Sequence, residues 1–317
     1  MGALMSFACV FPGQGSQSLG MLSALAERYA LVRETFEIAS EALSFDLWNL
    51  AQQGPEEALH RTENTQPLML TAGVAVWRVW RLQGGPMPRM MAGHSLGEYT
   101  ALVCAGALDF ATAVTLVAQR GRLMQGAVPS GEGAMAAILG LEDAQVVAVC
   151  AQAAKGQVVE AVNFNAPGQV VIAGHAAAVE RALELAKKEG AKRSVLLPVS
   201  VPSHCQLMQQ AAQRLQSTLA MTDLNPPLTP VLHNVDAEAR SEAKAIREAL
   251  VRQLYSPVRW VDTIQTMSRG GVKTVLEMGP GKVLTGMNKR IDKGLLSVCV
   301  QDAESLELAL ASTQGEH

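Results

Sequence analysis

The chain has 317 residues, 49% hydrophobic and 17% charged, so it carries material for a large core and too few charges to stay unfolded. A formal charge of −3 argues against affinity built on phosphate neutralisation along a nucleic acid. Five scattered cysteines with no C-x-x-C pair argue against a zinc or redox motif and predict reduced thiols in a cytoplasmic protein.

At this length the expectation is about two domains, or one large domain carrying an insertion. No run is apolar enough to span a bilayer, and Met1-Gly2-Ala3-Leu4-Met5-Ser6 lacks the features of a signal peptide. Ser6 to Phe11 reads as a buried strand that stops at the loop Pro12-Gly13-Gln14-Gly15-Ser16-Gln17. That loop lacks the Lys-Ser/Thr of a phosphate cradle and a third glycine at dinucleotide spacing, so nucleotide binding is set aside. From Leu19 to Leu82 the apolar spacing is mostly helical, broken near Ser44, at Gly54-Pro55 and around Asn64. Gln66 to Leu82 is apolar on nearly all sides and is expected to be buried.

The apolar run Met90-Met91-Ala92 then leads into Gly93-His94-Ser95-Leu96-Gly97, followed by a helix. A strand, a G-x-S-x-G turn and a helix are the context of a nucleophile elbow, which makes Ser95 the candidate nucleophile. Asp109 is placed as the N-cap of the next helix, and Arg120 lies on or beside its apolar face. Such an arginine either lays its stem over the core with its head in water, or holds a carboxylate within a cleft.

Beyond Ser130-Gly131-Glu132-Gly133 the elements run as strand 134–141, helix 142–155, strand 158–163, strand 169–174, helix 176–190 and strand 194–199. This β-α-β-β-α-β order is ferredoxin-like, and residues 130–199 are read as an α+β subdomain inserted into a catalytic domain of residues 1–129 and 200–317. The main domain resumes at Pro202-Ser203-His204-Cys205, with helices 206–219 and 243–254 and strands 231–234, 272–278 and 296–300. Alternating strands and helices imply a mostly parallel sheet, so the class is α/β.

A serine nucleophile needs a base, to be found among His60, His94, His175, His204, His233 and His317. His317 is terminal, His60 and His175 sit in polar surroundings, and His94 adjoins the serine on a turn that points successive side chains apart. His204 fits best, on a loop before a helix and after Ser95 in the chain, the order of elbow hydrolases. A helix-capping or surface histidine is the competing reading.

Six ordered motifs then carry a family resemblance: Phe11 to Gln17, Gly93 to Glu98, Gln119 to Gln125, Asn163 to Gln169, Val201 to His204 and Gln253 to Trp260. Over nearly its whole length the chain resembles the malonyl-CoA:acyl carrier protein transacylases of bacterial fatty-acid synthesis. The resemblance implies a hydrolase-like α/β fold with a ferredoxin-like insert. It implies Ser95 as the acyl acceptor, His204 as its base and then acid, and the backbone amides of Gln14 and Leu96 as the oxyanion hole. Arg120 would hold the malonyl carboxylate, and Gln253 matches the position whose carbonyl orients the histidine and is counted with the substrate-binding residues. Malonyl-CoA would be the substrate, with no permanently bound cofactor and no metal, and the acceptor an acyl carrier protein. Its acidic helices could dock on Lys192, Arg193, Lys289 and Arg290.

One departure touches specificity: Ser203 stands before the histidine, where malonyl-selective polyketide synthase domains often carry Phe. A malonyl transferase of a malonate decarboxylase or polyketide system, a serine thioesterase or esterase, and a non-catalytic carrier-docking module are the alternatives. Intact Ser95 and His204 count against the last, and Arg120 at the acyl end of the pocket against the hydrolases.

Overall fold

The computed structural model describes residues 6–199 and 201–313. The 1–5 segment considered for a signal peptide, Ser200 at the expected boundary and His317 lie outside them. Among the described residues nine strands form two sheets: β1 (Phe7–Phe11), β2 (Met90–Gly93), β3 (Gly133–Leu139), β4 (Val159–Ala166), β5 (Gln169–His175), β6 (Arg193–Leu196), β7 (Val231–Leu232), β8 (Thr274–Met278) and β9 (Leu296–Val300). The larger sheet has the order β7-β2-β1-β8-β9 with every pairing parallel. Its centre, β1, is buried at all five residues, as expected of a strand covered by helices on both faces.

The second sheet, β4-β5-β3-β6, is antiparallel, with the helices Asp143–Ala154 and Ala176–Lys188 packed against it. The fold is therefore α/β, a parallel hydrolase-like sheet joined to a ferredoxin-like α+β unit. The parallel-sheet side is tied to the second sheet by Val258, a residue outside the strands that packs in the core with Ala8, Val10 and Ala92: Phe164 N–H donates to Val258 O at 3.0 Å and Val258 N–H to Val162 O at 2.8 Å.

Several elements differ from the expectation. The buried helix begins at Thr62 and passes through Pro67, because its first turn is polar and gives no apolar period. β4 runs on to Ala166, past two register shifts that hide its alternation. β6 stops at Leu196, and the helix expected from Gln206 is a 3-10 turn, Gln206–Met208, leading into Gln209–Ala220. No described helix is long and apolar enough to cross a membrane.

Candidate active site

A cleft of about 550 Å³ opens between the two sheets. Gln14, Ser95, Leu96, Arg120 and His204 line it from the parallel side, and Met135 and Asn163 from the antiparallel side. At its centre Ser95 sits at the end of β2 with φ 53°, a left-handed conformation that costs a non-glycine residue on the order of 1 kcal/mol or more. The flanking glycines permit it: a Cβ on Gly93 would lie 1.8 Å from Gly97 C, and one on Gly97 2.1 Å from Phe11 O. The turn is then tied down by Asn234, whose Oδ1 accepts Ser95 N–H at 2.7 Å and whose Nδ2 donates to Gly93 O at 2.7 Å. Gln253 Nε2 donates to Ser95 O at 2.9 Å.

Ser95 Oγ lies 2.8 Å from His204 Nε2, and His204 Nδ1 lies 2.7 Å from Gln253 O. A carbonyl only accepts, so Nδ1 carries the proton and Nε2 is free to accept from the serine hydroxyl. His204 is also left-handed, φ 67°, with its N–H donating to Leu254 O at 3.0 Å. Burial, followed by the Arg120 cation, lowers its pKa to about 3, so the ring is neutral at physiological pH.

That shift has a stability consequence. The native state resists protonating a group that the unfolded chain protonates near pH 6.5, so the unfolded state binds more protons between about pH 6.5 and 3. Stability from this source is complete above that window and falls with acid by about 1.4 kcal/mol per pH unit inside it. Denaturant titrations of the wild type and His204→Gln between pH 7.5 and 5 should show the variant losing less stability on acidification. Equal pH slopes would mean that His204 titrates at its ordinary value.

Arg120, on the helix Phe110–Gln125, is 1% exposed, and burial lowers its pKa. Nη1 donates to Gln66 Oε1 at 2.8 Å, and Nη2 to Gln253 Oε1 at 3.0 Å and Ser95 Oγ at 3.3 Å, while Nε has no acceptor among the described residues. Its head is therefore in the interior beside the serine rather than in water. Gln253, fully buried, stands behind the cleft and does not line it. The backbone N–H groups of Gln14 and Leu96 donate to no acceptor among the described residues. No group of three or more His, Cys, Asp or Glu side chains suited to a metal occurs among them either.

Glu98, Asn165 and Asn234, to which the sequence reading gave no role, complete the site together with His94 and His233, which it weighed only as bases. Buried Glu98 accepts from His233, from Asn234 N–H and from Gln253 Nε2. His94 Nε2 lies 2.8 Å from Asn165 Oδ1. A usable signal was His233-Asn234 directly after the Val231-Leu232 strand, since parallel sheets build sites outside the carboxyl ends of their strands.

A parallel α/β sheet with this serine, histidine and buried arginine at its carboxyl edge has the layout of enzymes that handle acyl groups. The chain belongs to the acyl transferase domain family, whose model matches residues 8–309. It is 57% identical over 307 residues to the malonyl CoA-acyl carrier protein transacylase of Escherichia coli (strain K12), covering 97% of this chain and 99% of that one. The solved structure of the malonyl CoA-acyl carrier protein transacylase from Coxiella burnetii matches with a TM-score of 0.98 at 52% identity, covering 99% of both chains. A malonyl-transacylase solved in complex with its type II PKS acyl-carrier protein matches at 0.96 and 54%, covering 97% of this chain and 99% of that one.

Proposed function

We propose that the protein moves a malonyl group from malonyl-CoA to the phosphopantetheine thiol of an acyl carrier protein, through an ester on Ser95. The observation that carries this reading is the buried Arg120 guanidinium, 3.3 Å from Ser95 Oγ. It is suited to a carboxylate that has left water, and a simple acyl group would give it no partner. Nε and Nη2 form one edge of the guanidinium, and the Nε–H has no acceptor among the described residues.

Ser95 Oγ attacks the thioester carbonyl as its proton passes to His204 Nε2, and the Gln253 carbonyl holds the ring while it is cationic. The amides of Gln14 and Leu96 receive the oxyanion. The C–S bond breaks, the CoA thiolate takes the proton from His204, and the malonyl ester remains. The carrier thiol then gives its proton to His204 and attacks the ester carbonyl, the ester C–O bond breaks, and His204 returns the proton to Ser95 Oγ. On this reading residues 1–129 and 200–317 form the catalytic domain and 130–199 the subdomain across the cleft, in a cytoplasmic enzyme without a bound cofactor. Incubation with malonyl-CoA should add one malonyl mass to the intact protein, lost on addition of a thiol acceptor. An unmodified Ser95 overturns the proposal.

Lys192, Arg193, Lys289 and Arg290 are all exposed. The Lys192 stem lies over Gly140, Gly140 N–H donates to Gly168 O, and Arg290 donates to Pro167 O and Gln169. The two pairs thus flank one turn, between β4 and β5, and support docking of an acidic carrier beside the cleft. Reversing Lys192, Arg193 and Lys289 to Glu should lower kcat/KM with carrier protein by about tenfold relative to a small thiol acceptor, and flatten its salt dependence. An unchanged ratio would place docking elsewhere. A polyketide carrier is the second reading, favoured by the similarity to the transacylase solved with a type II PKS carrier, and competition between the two carriers decides it.

A further inference from the structure

Glu98 lies in the first turn of the helix Gly97–Cys104 with no exposed surface. Its carboxylate accepts from His233 Nδ1 at 2.7 Å, Asn234 N–H at 2.8 Å and Gln253 Nε2 at 2.9 Å. Three donors converge on it, which is the environment of an ionised carboxylate.

Gln253 connects this anion to each working group. Its Oε1 accepts from Arg120 Nη2 at 3.0 Å, its backbone O from His204 Nδ1 at 2.7 Å, and its Nε2 also donates to Ser95 O. Among the described residues Arg120 itself bonds to the uncharged partners Gln66, Gln253 and Ser95 and to no carboxylate. A buried cation and a buried anion are therefore held one carboxamide apart, where screening by water is weak.

We infer that Glu98 is the fixed counter-charge of the site, a positioning residue that balances Arg120 while the acyl position is empty and stabilises the imidazolium formed on His204 during transfer. The first half rests on the malonyl reading; the second does not. With Glu98 in place Arg120 enters the reaction already partly neutralised, so it does not overbind the incoming carboxylate. Tight holding of the substrate and the malonyl ester alike would lower KM without speeding either half-reaction. The same negative charge favours the protonated ring and raises the basicity of His204.

Glu98→Gln removes the charge and can keep the bonds. Its carboxamide oxygen can accept from Asn234 and Gln253, and its NH₂ can donate to His233 Nδ1 once the histidine proton moves to Nε2, which has no partner among the described residues. The variant should show half-saturation of Ser95 acylation at roughly tenfold lower malonyl-CoA, unchanged half-saturation with acetyl-CoA, and roughly tenfold slower labelling of Ser95 by an uncharged fluorophosphonate. A malonyl-CoA half-saturation that is unchanged or raised, or one that falls equally with acetyl-CoA, overturns the counter-charge to Arg120. A wild-type labelling rate overturns the role toward His204. If the wild type accepts acetyl but no malonyl group, the malonyl reading fails, and the labelling rate alone decides the role of Glu98. If Glu98→Gln does not fold, Glu98→Gln combined with His233→Gln, which brings its own acceptor, is read the same way.

Discussion

Ser95→Ala is expected to lower malonyl transfer by at least about 10⁴-fold and to abolish the malonyl mass adduct, with the fold intact. The fold should survive because the features that hold the turn are not the hydroxyl. Asn234 Oδ1 bonds the Ser95 backbone N–H, Gln253 Nε2 bonds its carbonyl, and alanine meets the same strain at φ 53° as serine does. Chemistry should fail because Oγ, 2.8 Å from His204 Nε2, is the only hydroxyl placed at once against a neutral imidazole and the Arg120 guanidinium among the described residues. His204→Ala should cost a comparable factor, and adding it to Ser95→Ala should cost little more, since the pair acts as one unit. Intact mass after malonyl-CoA treatment, with thermal denaturation as the folding control, reads all three variants. A full malonyl adduct on Ser95→Ala would move the ester to another residue.

The elbow was legible because Gly93 packs on Gly97, a contact within the motif itself, and short-range sterics leave a spacing signature; the packing of Gly97 on Phe11 at the end of β1 is a distant contact that the motif carries without announcing. Arg120 was legible as a charged residue on an apolar helix face. The Glu98 network was not, because its bonds to His233, Asn234 and Gln253 span 135 to 155 residues and no local pattern announces them. Glu98 sits beside the elbow motif and reads as an ordinary acidic residue in a helix's first turn, where the macrodipole favours one anyway. The parallel sheet was legible from buried runs such as β1. The ends of β4 and β6 were not, because bulges break the alternation in β4 and the apolar residues Leu197 and Val199 line the cleft instead of extending the sheet.

Arg120→Ala should separate malonyl from acetyl chemistry. The guanidinium is 1% exposed and, among the described residues, bonded to Gln66, Gln253 and Ser95 and to no carboxylate, so it has a charge to share with an incoming anion. Losing one member of a desolvated charge pair costs on the order of 2 to 5 kcal/mol, so malonyl transfer should fall by about 30-fold to several thousand-fold. Acetyl transfer brings no carboxylate to pair and should be unchanged or improved, since an unpaired buried cation would no longer face an apolar methyl group. The same deletion removes a positive charge that lowers the His204 pKa, which makes the base stronger and again favours acetyl transfer. Gln66 and Gln253 each lose a hydrogen bond in the variant, so some loss of stability is expected and is measured separately by thermal denaturation. The decisive quantity is the ratio of kcat/KM for malonyl-CoA to that for acetyl-CoA, because damage to packing or to the elbow affects both substrates alike and cancels in it. A collapsed ratio assigns Arg120 to the malonyl carboxylate. Equal losses with both substrates would reduce Arg120 to support for Ser95 and Gln253, and the preference for a dicarboxylic acyl group would need another cation in the cleft.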